Sequence, residues 1–283
     1  MVQHPKDILA FSHIPKTAGT TLSMLLQQHF GWRHMAIRFR RPPVVYTPRD
    51  LAFDLKLNPF VRSISGHSLK PFVNFGELET RLRWYTILRD PRARFISHYQ
   101  HYHNKQIPGR ALTFHEWMRT QVRQNWMVRM IAGEEDVDAA KQIIDNKLLF
   151  VGLVEHFNES LLLFRSSMGL CNLNIDYNMP VNAAKSSKAK NDIVGNIDVY
   201  EDEILENNNL DIILYDYVKD KIWPRQIENY GDDRLKSDLK EEFRQRHPTM
   251  KAKCNEWAYG AYRNLVYKPV LWYDRRYSFS KVL

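Results

Sequence analysis

The apolar residues of this chain fall into short runs that alternate with stretches of helical spacing. Ile8, Leu9, Ala10 and Phe11 lie in a mostly apolar run over 7–14 that breaks at Pro15, the pattern of a buried strand. From 20 to 30, Leu22, Leu25, Leu26 and Phe30 recur at helical spacing, and Gly31 follows as a stop. Residues 61–65 alternate weakly and run into the turn Gly66-His67, while 84–88 have the aromatic and β-branched composition of a strand. Asp90 then suits an N-cap and Pro91 the first helical position, so a helix is expected from Pro91 to about His103. A fourth strand over 148–154 and a helix capped by Asn158 and stopped at Gly169 extend the series. Strands alternating with helices predict an α/β fold with a central, mainly parallel sheet of about five strands flanked by helices. Such sheets take their ligands at the carboxyl ends of the strands.

Composition narrows the class. The 283 residues are 44% hydrophobic and 26% charged, which excludes a disordered polymer, a fibrous repeat and a disulfide-stapled miniprotein. There is no internal repeat and no Gly/Ser-rich linker, so the expectation is one domain over 1–283, with 230–283 as an aromatic and basic extension packed on it. No stretch approaches the ~18 consecutive apolar residues of a membrane span, and no leader pattern opens the chain. Cys171 and Cys254 fit neither a metal spacing nor a disulfide framework, so a reducing cytoplasm is the simplest compartment. The net charge of +9 favours an anionic partner without choosing among nucleotide, nucleic acid, acidic glycan and membrane surface.

Two segments carry the chemistry. His13-Ile14-Pro15-Lys16-Thr17-Ala18-Gly19-Thr20-Thr21 lies between the first strand and the first helix. A tight turn there presents successive backbone N–H groups at a helix N-terminus, Lys16 adds a full charge, and Thr20 and Thr21 add hydroxyls, which makes a phosphate cradle. It is not the nucleoside-triphosphate pattern, which places its lysine after a second glycine. In the second segment, Arg89 ends a strand and Ser97 stands two helical turns further on, so a phosphate beside the helix could meet a guanidinium fork and a hydroxyl.

Taken together, these motifs make the chain resemble the sulfotransferases that use 3′-phosphoadenosine 5′-phosphosulfate (PAPS), particularly their carbohydrate-modifying branch. The resemblance implies that Lys16, Thr17, Ala18, Gly19, Thr20 and Thr21 hold the 5′ end of the cofactor, and that Arg89 and Ser97 hold its 3′-phosphate. It extends more loosely through the segments around Trp126, Phe150 and Asp211. Lys185 and Lys188 lie in a basic stretch where related enzymes place a loop over the nucleotide, and they are assigned to the cofactor on that ground. Heparan and uronyl 2-O-sulfotransferases are similar around Gly66-His67, where the histidine is the proposed base, although their pattern often has a further histidine where this chain has Ser65. The implied reaction moves a sulfuryl group from PAPS to an acceptor hydroxyl, expected on a glycan, with the bisphosphate PAP as product and no metal required. His67 and Lys16 are the catalytic candidates. The carbohydrate branch also leaves open a luminal Golgi domain as the alternative to a cytoplasmic enzyme.

His98, His101 and His103 invite a metal reading, but no Cys, Asp or Glu completes a site. Glu134, Glu135, Asp136 and Asp138 read as solvent-facing residues at a helix start. Residues 31–49 hold Arg33, Arg38, Arg40, Arg41 and Arg49 and read as a surface loop, or as a dock for an acidic acceptor. The aromatic tail reads as packing on the domain or a second subunit, or as a stacking surface for sugars or bases. A P-loop-like kinase using ATP and a non-enzymatic polyanion binder remain the rival readings; nucleic acid is not expected as a partner of the enzyme.

Overall fold

The structure, a computed structural model, describes residues 6–37, 45–103, 112–119, 124–177, 199–242 and 250–279. Its centre is a five-stranded sheet of β1 (Ile8–Ser12), β2 (His34–Ala36), β3 (Ser63–Gly66), β4 (Leu82–Leu88) and β5 (Leu148–Leu153). All strand pairs are parallel and the order is β2-β3-β1-β4-β5. The four strands anticipated from hydrophobic pattern are present with slightly different ends. The fifth, β2, lies inside the segment read above as a surface loop. It was missed because an edge strand of three residues has no periodicity to read, yet His34 and Met35 are buried. Arg38, Arg40 and Arg41 of that segment lie outside the described residues.

β1 is buried on both faces, as expected for a central parallel strand. Leu9 and Phe11 join a core with α1 (Gly19–Phe30), α5 (Trp126–Ala132), α6 (Val137–Lys147) and α7 (Phe157–Ser167). Ile8 and Ala10 face the opposite core, which is closed by Leu51 of α2 (Pro48–Leu57) and by Tyr267 and Leu271 near the carboxyl end of the chain. Each such fully buried aliphatic or aromatic side chain contributes roughly 1.5–3 kcal/mol. The carboxyl-terminal run therefore supplies part of a core: helix Met250–Tyr262, a π-helical turn Arg263–Tyr267 and helix Lys268–Phe279 follow one another without a break.

α3 (Pro91–His103) begins as its sequence predicts, with Asp90 Oδ1 accepting from the Ala93 N–H at 2.8 Å and Pro91 in the first helical position. The helix after β5 departs from expectation. A 3₁₀ turn over Val154–His156 leads directly into α7, whose N-cap is His156. Asn158 is inside the helix and its Oδ1 instead accepts from the Tyr177 hydroxyl at 2.7 Å. Asp136 does cap α6, accepting from the Asp138 and Ala139 N–H groups, and Glu135 pairs with Arg129 at the surface. Among the described residues, no helix is long and apolar enough to cross a membrane.

The sheet order puts the point of reversal between β1, whose connection leaves toward β2, and β4, whose connection leaves toward β5. β1 pairs with β3 on one side and β4 on the other, so the crevice at their carboxyl ends receives residue 13, residue 67 and residue 89 from three adjacent strands.

Candidate active site

The turn after β1 is held in an unusual backbone conformation. Lys16 and Ala18 both have positive φ, 72° and 57°, although neither is glycine. Left-handed backbone costs an L-residue roughly 1–2 kcal/mol, and consecutive turn residues of alternating hand form an anion-binding concavity of N–H groups. Thr17, between them, is fully buried and its hydroxyl donates to the Ile14 carbonyl at 2.9 Å. Its side chain thus locks the turn, and only its backbone remains to face a ligand. α1 follows with Ala18 as N-cap, no side chain capping it and no acid in its first turn, so the positive end of the helix dipole is not neutralised locally.

Gly19 is required by close approach. A Cβ there would lie 2.1 Å from His13 Cδ2 and 2.2 Å from His13 Nε2. The His13 ring fills that space, stacked on Phe11 at 5.2 Å between centroids and tilted against His67 at 4.2 Å. Burial, with the neighbouring His67, pulls its imidazole down to about 3, so it is neutral.

His67 follows β3 and its Nδ1 lies 2.6 Å from the His13 carbonyl oxygen. A carbonyl only accepts, so Nδ1 must carry the hydrogen and Nε2 keeps the lone pair. Burial and the Lys70 ammonium depress its basicity, with the hydrogen bond to His13 working the other way. Lys70 itself is drawn down to about 8 by burial, and its Nζ rests on the Met130 thioether. Ser65, where the resembling branch often has histidine, is buried, contacting Ser23 Oγ at 3.5 Å and the His34 ring at 3.3 Å. The preceding strand thus buries the Ser65 hydroxyl in a network, while His67, just past its end, lines the crevice.

Arg89 ends β4 and reaches back to the turn, where Nη1 donates to the Lys16 carbonyl at 3.2 Å. Its Nε is buried with no hydrogen-bond partner among the described residues, a donor whose loss of water costs ~1–3 kcal/mol until something accepts from it. Glu155 steadies the same corner: one oxygen accepts from the Asp90 N–H at 3.0 Å, the other from the Tyr215 hydroxyl at 2.8 Å.

These parts line a cavity of about 420 Å³, to which His13, Pro15, Lys16, Ala18, Gly19, Thr20, Thr21, His67, Arg89, Ser97, His98, His101 and Val154 contribute. Lys16, Ala18, Gly19, Thr20, Thr21, His67, Arg89 and Ser97 from the sequence reading are therefore brought together; Thr17 presents no side chain to the cavity; Lys185 and Lys188 lie outside the described residues. Among the described residues, no three His, Cys, Asp or Glu side chains converge as a metal would require. His98 instead sets its ring edge-on to Trp117 and Trp126. His13 and Glu155 lie in segments that the sequence marks, but neither has a role assigned there, and nothing local marks Lys70.

A phosphate-cradling turn, a buried donor still without an acceptor, and a neutral histidine with a free lone pair are suited to holding an anionic group beside a hydroxyl and taking a proton from it. No curated protein matches the chain. The family model of the sulfotransferases matches residues 1–218, a span that contains all five strands and every residue of the cavity. By a match of that extent, the chain belongs to the sulfotransferase family.

Proposed function

We propose that the chain moves the sulfuryl group of PAPS to a hydroxyl of a carbohydrate. Sulfuryl transfer to an acceptor is the family's reaction; the donor and the class of acceptor are the further step. The observation that supports the donor is the pairing of two cationic corners in one cavity, the Lys16 turn and Arg89, joined through the Lys16 carbonyl with Arg89 Nε still unsatisfied. A nucleotide with anionic groups at both its 5′ and 3′ positions needs two such corners. In this reading Lys16, the turn N–H groups, Gly19, Thr20 and Thr21 hold the 5′ end. Arg89 and Ser97 hold the 3′-phosphate, and Lys185 and Lys188 add charge over the nucleotide. The acceptor class is supported by the likeness to the 2-O-sulfotransferases around Gly66-His67.

When bound, PAPS supplies an activated sulfuryl group and a stable bisphosphate leaving group. His67 Nε2 receives the proton of the acceptor hydroxyl, while the His13 carbonyl holds the ring in the tautomer that makes this possible. Lys16 and the turn neutralise the charge that develops on the leaving oxygen. Because sulfuryl transfer resembles phosphoryl transfer in its loose, in-line character, positioning and charge carry most of the rate.

Calorimetric titration of PAP against ADP and ATP, on the native chain and on Arg89→Ala, tests the donor. PAP should bind in preference, and the variant should bind it at least ~10-fold more weakly, the loss expected for a charged hydrogen bond. Equal affinity for the three nucleotides would sink the PAPS reading, and magnesium-dependent turnover of ATP would put a kinase in its place.

A further inference from the structure

The unbroken carboxyl-terminal run from Met250 has two opposite faces. Ala252, Tyr259, Tyr267 and Leu271 point into the protein. Met250, Trp257 and Leu265 are 76%, 77% and 77% exposed, and Trp272 and Tyr273 continue the row at 59% and 60%. Spacings of seven and eight residues keep a row on one side of a helix. The π-helical turn Arg263–Tyr267 adds the slack that keeps both rows aligned past it. A row of this length with two tryptophans goes beyond the scattered exposed apolar residues of an ordinary surface. It also lies beyond residue 218, where the family match ends.

Charge selects what covers it. Lys251, Lys253 and Lys268 are exposed along the same run. The one acid from 250 to 273, Glu256, has its carboxylate on the Gln28 side chain at 2.9 Å. Pairing the row with a second copy about a two-fold axis at Ala261 would set Lys268 beside Lys253 of that copy, like charge against like. An apolar, tryptophan-bearing row with flanking lysines instead matches an anionic lipid surface, where rings enter the headgroup layer and ammonium groups meet lipid phosphates.

We propose that this face docks the protein on anionic membrane surfaces. The enzyme would then work at a bilayer, in reach of acceptors carried on lipids. The proposal is independent of the sulfuryl donor, and its test needs no turnover. The intact chain is sedimented with vesicles of phosphatidylglycerol and phosphatidylcholine in equal parts, and with vesicles of phosphatidylcholine alone. It should partition to the first at least ~10-fold better than to the second, and rising salt should release it. The double variant Trp257→Ser with Leu265→Ser should lose most of that partition with its thermal unfolding unchanged. A second variant, Lys251→Gln with Lys253→Gln and Lys268→Gln, should lose the preference for anionic lipid and reports independently if the first is unstable. Absence of sedimentation with anionic vesicles at low salt, or equal sedimentation of native chain and both variants, overturns the proposal. So does a native dimer that Trp257→Ser with Leu265→Ser converts to monomer, which would give the face to a second copy.

Discussion

The side chain of His67 is governed by two neighbours that act in opposite senses, the His13 carbonyl on Nδ1 and the Lys70 ammonium nearby. Burial and Lys70 outweigh the hydrogen bond, so the imidazole stays below its ordinary 6.5 and is neutral at pH 7. A base needed in its neutral form with a lowered pKa is lost only as pH falls through that lowered value. The acid limb of kcat/KM should therefore lie below pH 6.5, as a pH–rate profile with any accepted hydroxyl substrate will show. Lys70→Met removes the cation and should move the limb upward; an unmoved limb would mean that the lysine does not act on the base. His67→Ala should lower kcat by about 10²–10⁴-fold while leaving PAP affinity intact, and turnover unchanged in that variant would take His67 out of the reaction. The place of His67 at the cavity was legible in the sequence because it directly follows a strand in an α/β pattern. Lys70 was not, since a lysine three residues into a turn looks like any surface lysine until the distant Met130 covers it.

Among the elements, the turn at 15–19 is constrained by its backbone and, through Gly19, by His13. Gly19→Ala forces the His13 ring out of its place between Phe11 and His67. The expected cost is ~1–3 kcal/mol by denaturant unfolding, as for other overpacked sites, and, if His67 is the base as proposed, a fall in kcat, because the His13 carbonyl holds its Nδ1. A variant as stable and as active as the native chain would mean that the ring has room to move. β1, α1, β4 and α3 were readable because their signals are local: an apolar run, a helical stripe, an Asp-Pro start. The weaker likeness around Trp126 and Asp211 becomes intelligible only in three dimensions. Asp211, fully buried, accepts from the Met127 and Val128 N–H groups at 3.0 and 2.8 Å and lies 3.9 Å from the buried Arg94 of α3. One carboxylate thus ties the start of α5 to the helix that carries Ser97, through partners more than eighty positions away in the chain. No reading of local pattern could pair them.

For the whole molecule, histidines of lowered basicity make stability depend on acidity, His13, His29 and His34 alongside His67. Burial lowers His34 and His13 to about 3, with His67 adding to the effect at His13, and burial with Lys251 and Arg33 lowers His29 to about 4. Between pH 6.5 and those values the unfolded chain binds protons that the native one refuses, so stability falls as pH falls. The slope is about 1.4 kcal/mol per pH unit for each histidine while its folded form stays neutral. His34→Gln should remove its share of that slope in unfolding curves taken from pH 6.5 to 4.5, at some cost near neutrality from its contacts with Ser63 and Ser65. An unaltered slope would assign the acid sensitivity to other groups. The order β2-β3-β1-β4-β5 has a consequence for how the chain is made. The middle strand of the sheet is also its earliest, and both of its neighbours come later. On the ribosome, Ile8–Ser12 emerges with all five residues destined for burial and nothing to pair with until Ser63–Gly66 has followed. Its second edge stays open until Leu82–Leu88 is complete. Non-local parallel pairing of this kind is slow and leaves strand edges exposed. Translation speed through the codons for residues 8–88, and chaperones that shield a nascent apolar strand, should therefore govern the yield of folded protein.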